Sequence, residues 1–328
     1  MKKNFRLPVI LLTLVTLMSS CVHQWPESVP TNVTLKFVFD RSMNPFDTLN
    51  FETKADELAS HEVRYVVEAY RMKPTEGYYR DGAIRQVYMK SDLENLDNEV
   101  VMTVPDEGRY HIKAWVDYVA SGSQEHLYYN PDNFSEILLH QHFGNNEFRE
   151  AYIGSVDVDV VRYGSQVPFV EGTLQMARPV ARYEFITDDL VEFIERETRL
   201  LNGVEPDLDD YTVRIYYTGF MPSAFNMHSD RPNDSKTGVF YESKIRKINE
   251  NEAKLGFDYV LANPDEASIV AAVGLYDRNG EELAATTDIH IPLRRGMLTT
   301  VKGSFLMKES SGGISINPDF DGEFNIVL

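Results

Sequence analysis

Acidic side chains outnumber basic ones by 51 to 32 over 328 residues, a formal charge of −19. That balance excludes nucleic acid, and a broad electrostatic footprint on an anionic membrane, because both demand a positive protein surface. A single cysteine excludes an intrachain disulfide, and the length fits two domains of about 150 residues.

The chain opens with Lys2, Lys3 and Arg6, followed by the apolar run LPVILLTLVTLM at residues 7–18. That run has the length of a signal-peptide core and is short for a membrane-crossing helix. Ser19 and Ser20 place small side chains just before Cys21. This is the arrangement of a bacterial lipoprotein signal, in which the cysteine sulfur is acylated and becomes the mature N-terminus. We expect residues 1–20 to be a signal peptide and Cys21 to be the lipidation site. The alternative is an ordinary secretory signal with a chance cysteine. Each buried CH₂ contributes roughly 0.8 kcal/mol, so several acyl chains on one residue make a durable anchor where one does not. No later segment is apolar enough to span a bilayer.

Residues 22–32, VHQWPESVPTN, have two prolines and no periodicity and read as a tether. The first strand follows, with Val33, Leu35, Phe37 and Phe39 on one face. Further strands are predicted over 61–72, 83–90, 108–120, 151–161 and 172–187, the last broken by Pro179. Tyr65, Tyr110 and Tyr118 alternate on these strands as packing residues rather than as an exposed platform. The segment 135–144 reads as briefly helical. Such a run of short strands predicts a sandwich with one wet face per strand, which would account for the charges inside the strands.

The best helix is 187–203, with Thr187 or Asp188 as cap, Leu190, Phe193, Ile194 and Leu201 toward a core, and Gly203 at its end. Strands resume over 210–222, 237–248, 257–262 and 267–293. DRNG at 277–280 predicts a hairpin, with Asn279 and Gly280 left-handed. The chain would finish in a second hairpin turning at SSGG, 310–313, with FNIVL as its last strand. The expected fold class is all-β, two tandem β-sandwich domains over 33–178 and 179–328 with one or two short helices. No close internal sequence repeat is visible.

Catalytic patterns are missing from the sequence. His61-Glu62 begins an HExxH, but Tyr65 stands where its second histidine belongs, and there is no G-x-S-x-G, Walker or G-x-G-x-x-G pattern. His126, His140 and His142 lack a carboxylate or thiol at ligand-like spacing and read as surface or packing residues. Asp319, Asp321 and Glu323 offer oxygen ligands, but the glycine of an EF-hand loop is misplaced, so an Asx-type turn is the simpler reading. No catalytic residue, cofactor or metal is expected.

The leader, WPE after Cys21 and the early LKFVFD strand resemble the start of the Bacteroidales FimB/Mfa2-type fimbrial anchor family and related fimbrillin-like lipoproteins of type V pili. HIKAWVDYV, YYNPDNFSEILL and REAYIGSVDVDV resemble the middle of their first domain. LQMARPVARYEFITDDLVEFI resembles the passage into the second, and IPLRRGMLTTVKGSFL with GGISINPDFDGEFNIVL is the densest match.

The resemblance implies paired transthyretin-like sandwiches in an outer-membrane lipoprotein at the cell surface. Polymerising subunits of that system lose an N-terminal segment by proteolysis and join by strand exchange, while anchors keep their lipid. By this likeness Cys21 is the attachment point and the partners are other fimbrial subunits. The edges near Val33, Leu35, Phe37 and Phe39, and near Phe324, Ile326 and Leu328, are the candidate contact regions. Arg41, Arg64 and Arg71 are candidate cleavage positions for a shaft subunit. The competing expectation is a surface-tethered adhesin for a glycan or host protein, which an exposed aromatic cleft would favour. A secreted hydrolase would need converging acids in a deep pocket.

Overall fold

The computed structural model describes residues 30–39, 60–73, 77–92, 99–140, 142, 144–161, 169–307 and 324–327. In its first half lie β1 (Thr31–Phe39), β2 (His61–Lys73), β3 (Gly77–Met89), β4 (Glu99–Val104) and β5 (Gly108–Ala120). The short β6 (Tyr129–Asn130) and β7 (Ile137–Leu139) come next, then β8 (Tyr152–Val160) and β9 (Val170–Met176).

The second half holds β10 (Val180–Thr187), α1 (Leu190–Leu200), β11 (Thr212–Tyr217), β12 (Met221–Asn226), β13 (Arg231–Lys236), β14 (Phe240–Ser243) and β15 (Arg246–Lys247). The chain then runs through β16 (Ala253–Leu261), β17 (Ala267–Tyr276), β18 (Glu282–Leu293), β19 (Leu298–Gly303) and β20 (Phe324–Val327).

The protein is all-β, built as two sandwiches. In the first, the sheet β4–β1–β9 faces the sheet β3–β2–β5–β8. Val33, Leu35, Phe37, Tyr65, Val67 and Ile112 meet between them. In the second, β15–β16–β10–β19–β20 faces β14–β11–β17–β18. Strict alternation drives this. β1 and β11 bury every second side chain, and a one-residue slip would turn each apolar set outward.

Both sandwiches follow one seven-strand plan. β1 pairs antiparallel with β4 and parallel with β9; β10 pairs antiparallel with β16 and parallel with β19. In the opposing sheets, β2 lies between β3 and β5 with β8 outside, as β11 lies between β14 and β17 with β18 outside. The order of use along the chain is the same in both. This repeat resides in pairing and has no counterpart in side-chain identity.

A third sheet, β13–β12–β7–β6, takes strands from both halves. Ala224 pairs with Leu138 and Phe225 with Ile137. It covers the outer face of β2 and β5, so Arg64–Tyr70 and Ala114–Val119 are buried on both faces. Trp115 is fully buried there against Tyr129 and Phe225, with ring centroids at 5.2 and 6.4 Å. The helical reading of 135–144 is therefore wrong. Ile137 and Leu139 point in and Leu138 out, a period of two over a run too short to recognise as such.

Three further details differ from the sequence reading. The helix is capped at Asp189, whose carboxylate accepts from the backbone N–H of Leu306 and Met307 instead of from its own helix. Leu190 and Phe193 are buried as expected, but Leu201 is exposed. In the 277–280 turn only Gly280 is left-handed, at φ 82°; the Asp277 carboxylate organises the bend by accepting from the N–H of Asn279 and Glu281.

The end of the chain is not a hairpin. β20 runs parallel to β19, with Thr299 opposite Phe324 and Val301 opposite Ile326. Parallel neighbours cannot be joined by a tight hairpin turn. SSGG at 310–313 and the candidate calcium residues Asp319, Asp321 and Glu323 lie outside the described residues.

Candidate functional site

Sheet edges and the joint between the halves are the features that bear on function. β1 is a central strand, held by β4 on one side and β9 on the other. Val33, Leu35 and Phe37 sit in the core, and Phe39 packs against its margin beside Tyr152, with ring centroids 4.9 Å apart. These four residues therefore present no open edge. Phe324 and Ile326 belong to β20, which among the described residues is paired on one side only and forms the edge of its sheet. Leu328 and Cys21 lie outside the described residues.

β20 is an eighth strand beyond the shared plan. In the first sandwich the corresponding side is closed differently, by β8 drawing up to β9. Ile153 and Ala177 exchange backbone hydrogen bonds of 2.8 Å in both directions. Gly154 permits this approach, since a Cβ there would stand 2.5 Å from Met176 Sδ and 2.9 Å from a backbone oxygen.

The joint is polar and buried. The chain between β7 and β8 carries His142, Glu147 and Arg149 onto β10 and β16. Arg149 pairs with Asp258, whose carboxylate also accepts from the Tyr217 hydroxyl at 2.6 Å and lies 2.7 Å from His142 Nε2. The Tyr183 hydroxyl lies 2.9 Å from that of Tyr217 and 3.3 Å from that of Tyr241. On the other face of β10 and β16, Arg182 makes a two-pronged pair with Glu147 at 2.8 and 3.0 Å and lies 4.1 Å from the Phe257 ring centre.

Burial pushes the Asp258 carboxyl upward, but the Arg149 charge and the hydrogen bonds from His142 and Tyr217 outweigh it and hold the group below the usual carboxylate range. Burial carries the Tyr183, Tyr217 and Tyr241 hydroxyls well above the ordinary tyrosine range. Asp258, Tyr183 and Tyr217 are sealed from solvent. The cluster ties the segment between β7 and β8 to β10, β11 and β16 and so fixes how the halves meet.

A second buried pair explains two more sequence candidates. Arg64 donates to both Asp117 oxygens, at 2.9 and 2.7 Å, and its remaining nitrogen lies 3.0 Å from His126 Nδ1. Because Arg64 is only a donor, His126 Nδ1 accepts and Nε2 donates to Asp132 at 3.0 Å. Arg64 is thus walled in and unsuited as a cleavage position. Arg71 is exposed beside Asp106, and Arg41 lies outside the described residues. His140 stands near His126, with ring centroids 6.1 Å apart. Among the described residues no group of three or more His, Cys, Asp or Glu side chains could hold a metal ion, and no helix is long and apolar enough to cross a membrane. Tyr65, Tyr110 and Tyr118 are buried, as their alternation predicted.

Sequence reasoning missed the joint. Its signal is a lone charge inside an apolar strand: Asp258 within LGFDYVLA and Arg182 with Glu184 within VARYEFI. Such a charge is costly unless paired, so each predicts a partner brought from elsewhere.

Among solved structures, the chain is similar to the fimbrial anchor protein Mfa2 from Porphyromonas gingivalis, at 12% identity and TM-score 0.43, covering 80% of this chain and 83% of that one. It is also similar to a fimbrial assembly protein from Parabacteroides distasonis, at 12% identity and TM-score 0.39, covering 84% and 91%. These neighbours come from the group that the sequence resembles. No curated protein matches the chain. A family model, described as a family of unknown function (DUF6562), matches residues 26–328. With nearly the whole chain matched, the protein belongs to that family.

Proposed function

We propose that this protein is a non-catalytic, lipid-anchored subunit of a type V pilus, placed at the cell surface on the outer membrane. It anchors the fibre or limits its assembly through strand contacts with other subunits. Cys21 carries the lipid, residues 21–32 are the tether, and the units over 33–178 and 179–328 are the body.

The observation that carries this reading is β20. Among the described residues it is the one strand of the two main sandwiches, besides the two-residue β15, that the shared seven-strand plan does not use, and a single parallel ladder holds it. A strand held on one side leaves N–H and C=O groups free to accept another chain, or can itself be exchanged. β1 supports the anchor role over the shaft role. It fills the centre of its own sheet with Val33, Leu35 and Phe37, so while it stays in place that sheet has no vacant slot for a donor strand. An anchor that keeps its N-terminal segment keeps this strand too. The buried joint suits a part that transmits load between membrane and fibre.

Lipid attachment is tested by growing cells with a labelled fatty acid. Label is expected on the native protein and absent from Cys21→Ala, which should also leave the membrane fraction. Label persisting on the variant would overturn this assignment.

A further inference from the structure

On the outer face of β14–β11–β17–β18 the side chains shrink to a small floor. Ala272 stands opposite Tyr216, and Gly274 lies between Arg214 and Ala285. Aromatic rings rise around that floor. Tyr216 and Phe240 sit side by side, with centroids 5.7 Å apart and planes tilted by 35°. Tyr276 lies back over Gly274, where a Cβ would come within 2.9 Å of its ring. Together they bound a cleft of about 640 Å³, within the range of small-molecule sites.

The strands beneath are irregular at this place. The β17–β18 register shifts between Ala271 and Val273 and again between Leu275 and Tyr276. Asp288, within the first shift, takes φ 54°, a conformation uncommon for a residue with a side chain. Bulges of this kind bend a sheet and re-aim side chains, often beside binding sites.

The charges around the cleft are matched within the protein. Arg214 donates to Glu242 at 2.9 Å and lies 4.6 Å from the Tyr276 ring centre. The Tyr276 hydroxyl donates to Glu282 at 3.0 Å and lies 3.1 Å from that of Tyr216. What remains is an aromatic wall, half exposed at Phe240, with phenolic hydroxyls and Thr287 at the rim.

We propose that this cleft binds a neutral carbohydrate, with the C–H face of a pyranose ring against Phe240 and Tyr216 and its hydroxyl groups toward Tyr276, Glu282 and Thr287. Two facts favour that occupant over a peptide or an anion. The cleft lies on a sheet face, where the backbone groups of β11 and β17 are already committed to their ladders, so a peptide strand would find no backbone partners there. The acidic chain, at −19, repels a polyanion. A sugar brings its own ring of polar groups around an apolar face, which matches amphipathic aromatic walls. The inference does not depend on the pilus reading.

The test is saturation-transfer NMR and calorimetry on the purified mature protein with cellotriose, xylotriose, mannotriose and chitotriose. At least one is expected to bind saturably. Binding should weaken about threefold to tenfold in Phe240→Ala, the loss of one ring contact, and fail in Thr287→Arg, which blocks the rim. Phe169→Ala, an exposed ring outside the cleft, should bind as the native protein does. Phe240 is exposed enough that its variant should keep the native melting temperature. Binding by none of the four sugars, or equal binding by Phe240→Ala and Thr287→Arg, would overturn the proposal.

Discussion

Asp258→Asn is expected to destabilise the protein by about 3–5 kcal/mol, the cost of stranding a buried arginine without its counter-charge. Arg149 and Asp258 are both sealed from solvent and share one salt bridge. Asparagine keeps the shape but removes the charge, and with it one strong acceptor for Tyr217 and His142. Urea unfolding followed by circular dichroism measures the loss. The pair itself is weak evidence for net stability, because desolvation offsets most of its attraction. Arg149→Met combined with Asp258→Leu should therefore recover a large part of what the single variant loses.

The pH dependence follows from the direction of the Asp258 shift. Its folded-state carboxyl lies below the ordinary value, so the folded form holds the proton less tightly than the unfolded one. The stabilisation is complete above the unfolded value of about 3.9 and is lost as pH falls through the folded value. Asp258→Asn should show a shallower loss of stability than the native protein below about pH 4. Parallel acid curves would contradict the assigned role.

Trp115→Ala is expected to cost about 3–5 kcal/mol as a large buried aromatic deletion, and to change cooperativity as well. Trp115 belongs to the outer face of β5, yet its neighbours Tyr129 and Phe225 come from the sheet that both halves build. Phe225 on β12 also lies beneath the Arg295 guanidinium, 5.4 Å from its ring centre. Removing the indole should loosen the first sandwich from the joining sheet before either core melts. A broadened or two-step urea transition with a lower m-value would report that uncoupling. A single sharp transition at native m-value with only a shifted midpoint would place Trp115 in an ordinary core.

The strands were legible wherever alternation ran long enough. Val33 to Phe39 and Tyr110 to Val116 show it plainly, and the structure places them in the first core. The helix was legible for the same reason at a different period, through Leu190 and Phe193. Three things were not. Pairing direction leaves no mark in side chains, so FNIVL read as half of a hairpin when β20 runs parallel to β19. The seven-strand repeat is carried by backbone partners, and unrelated residues satisfy it equally well. Buried charges looked like a wet face: Arg64, Glu68 and Asp117 sit where solvent was expected, and each instead has a partner under the joining sheet or beside it.

The candidate contact residues divide along the same line. Val33, Leu35, Phe37 and Phe39 are contact candidates through the resemblance alone; their shared apolar face marks a core strand, and the structure puts Val33, Leu35 and Phe37 in the core with Phe39 packed against it. Edge position depends on which strands lie alongside, and a sequence does not state that. Phe324 and Ile326 fall on an edge strand because β20, among the described residues, pairs with β19 alone.

The most direct test is deletion of the gene, followed by electron microscopy of the cells and fractionation of their pili. Pili shed into the medium or altered in length are expected, together with copurification of this protein at the pilus base in the native strain. Pili that remain attached and unchanged in length after deletion would contradict it.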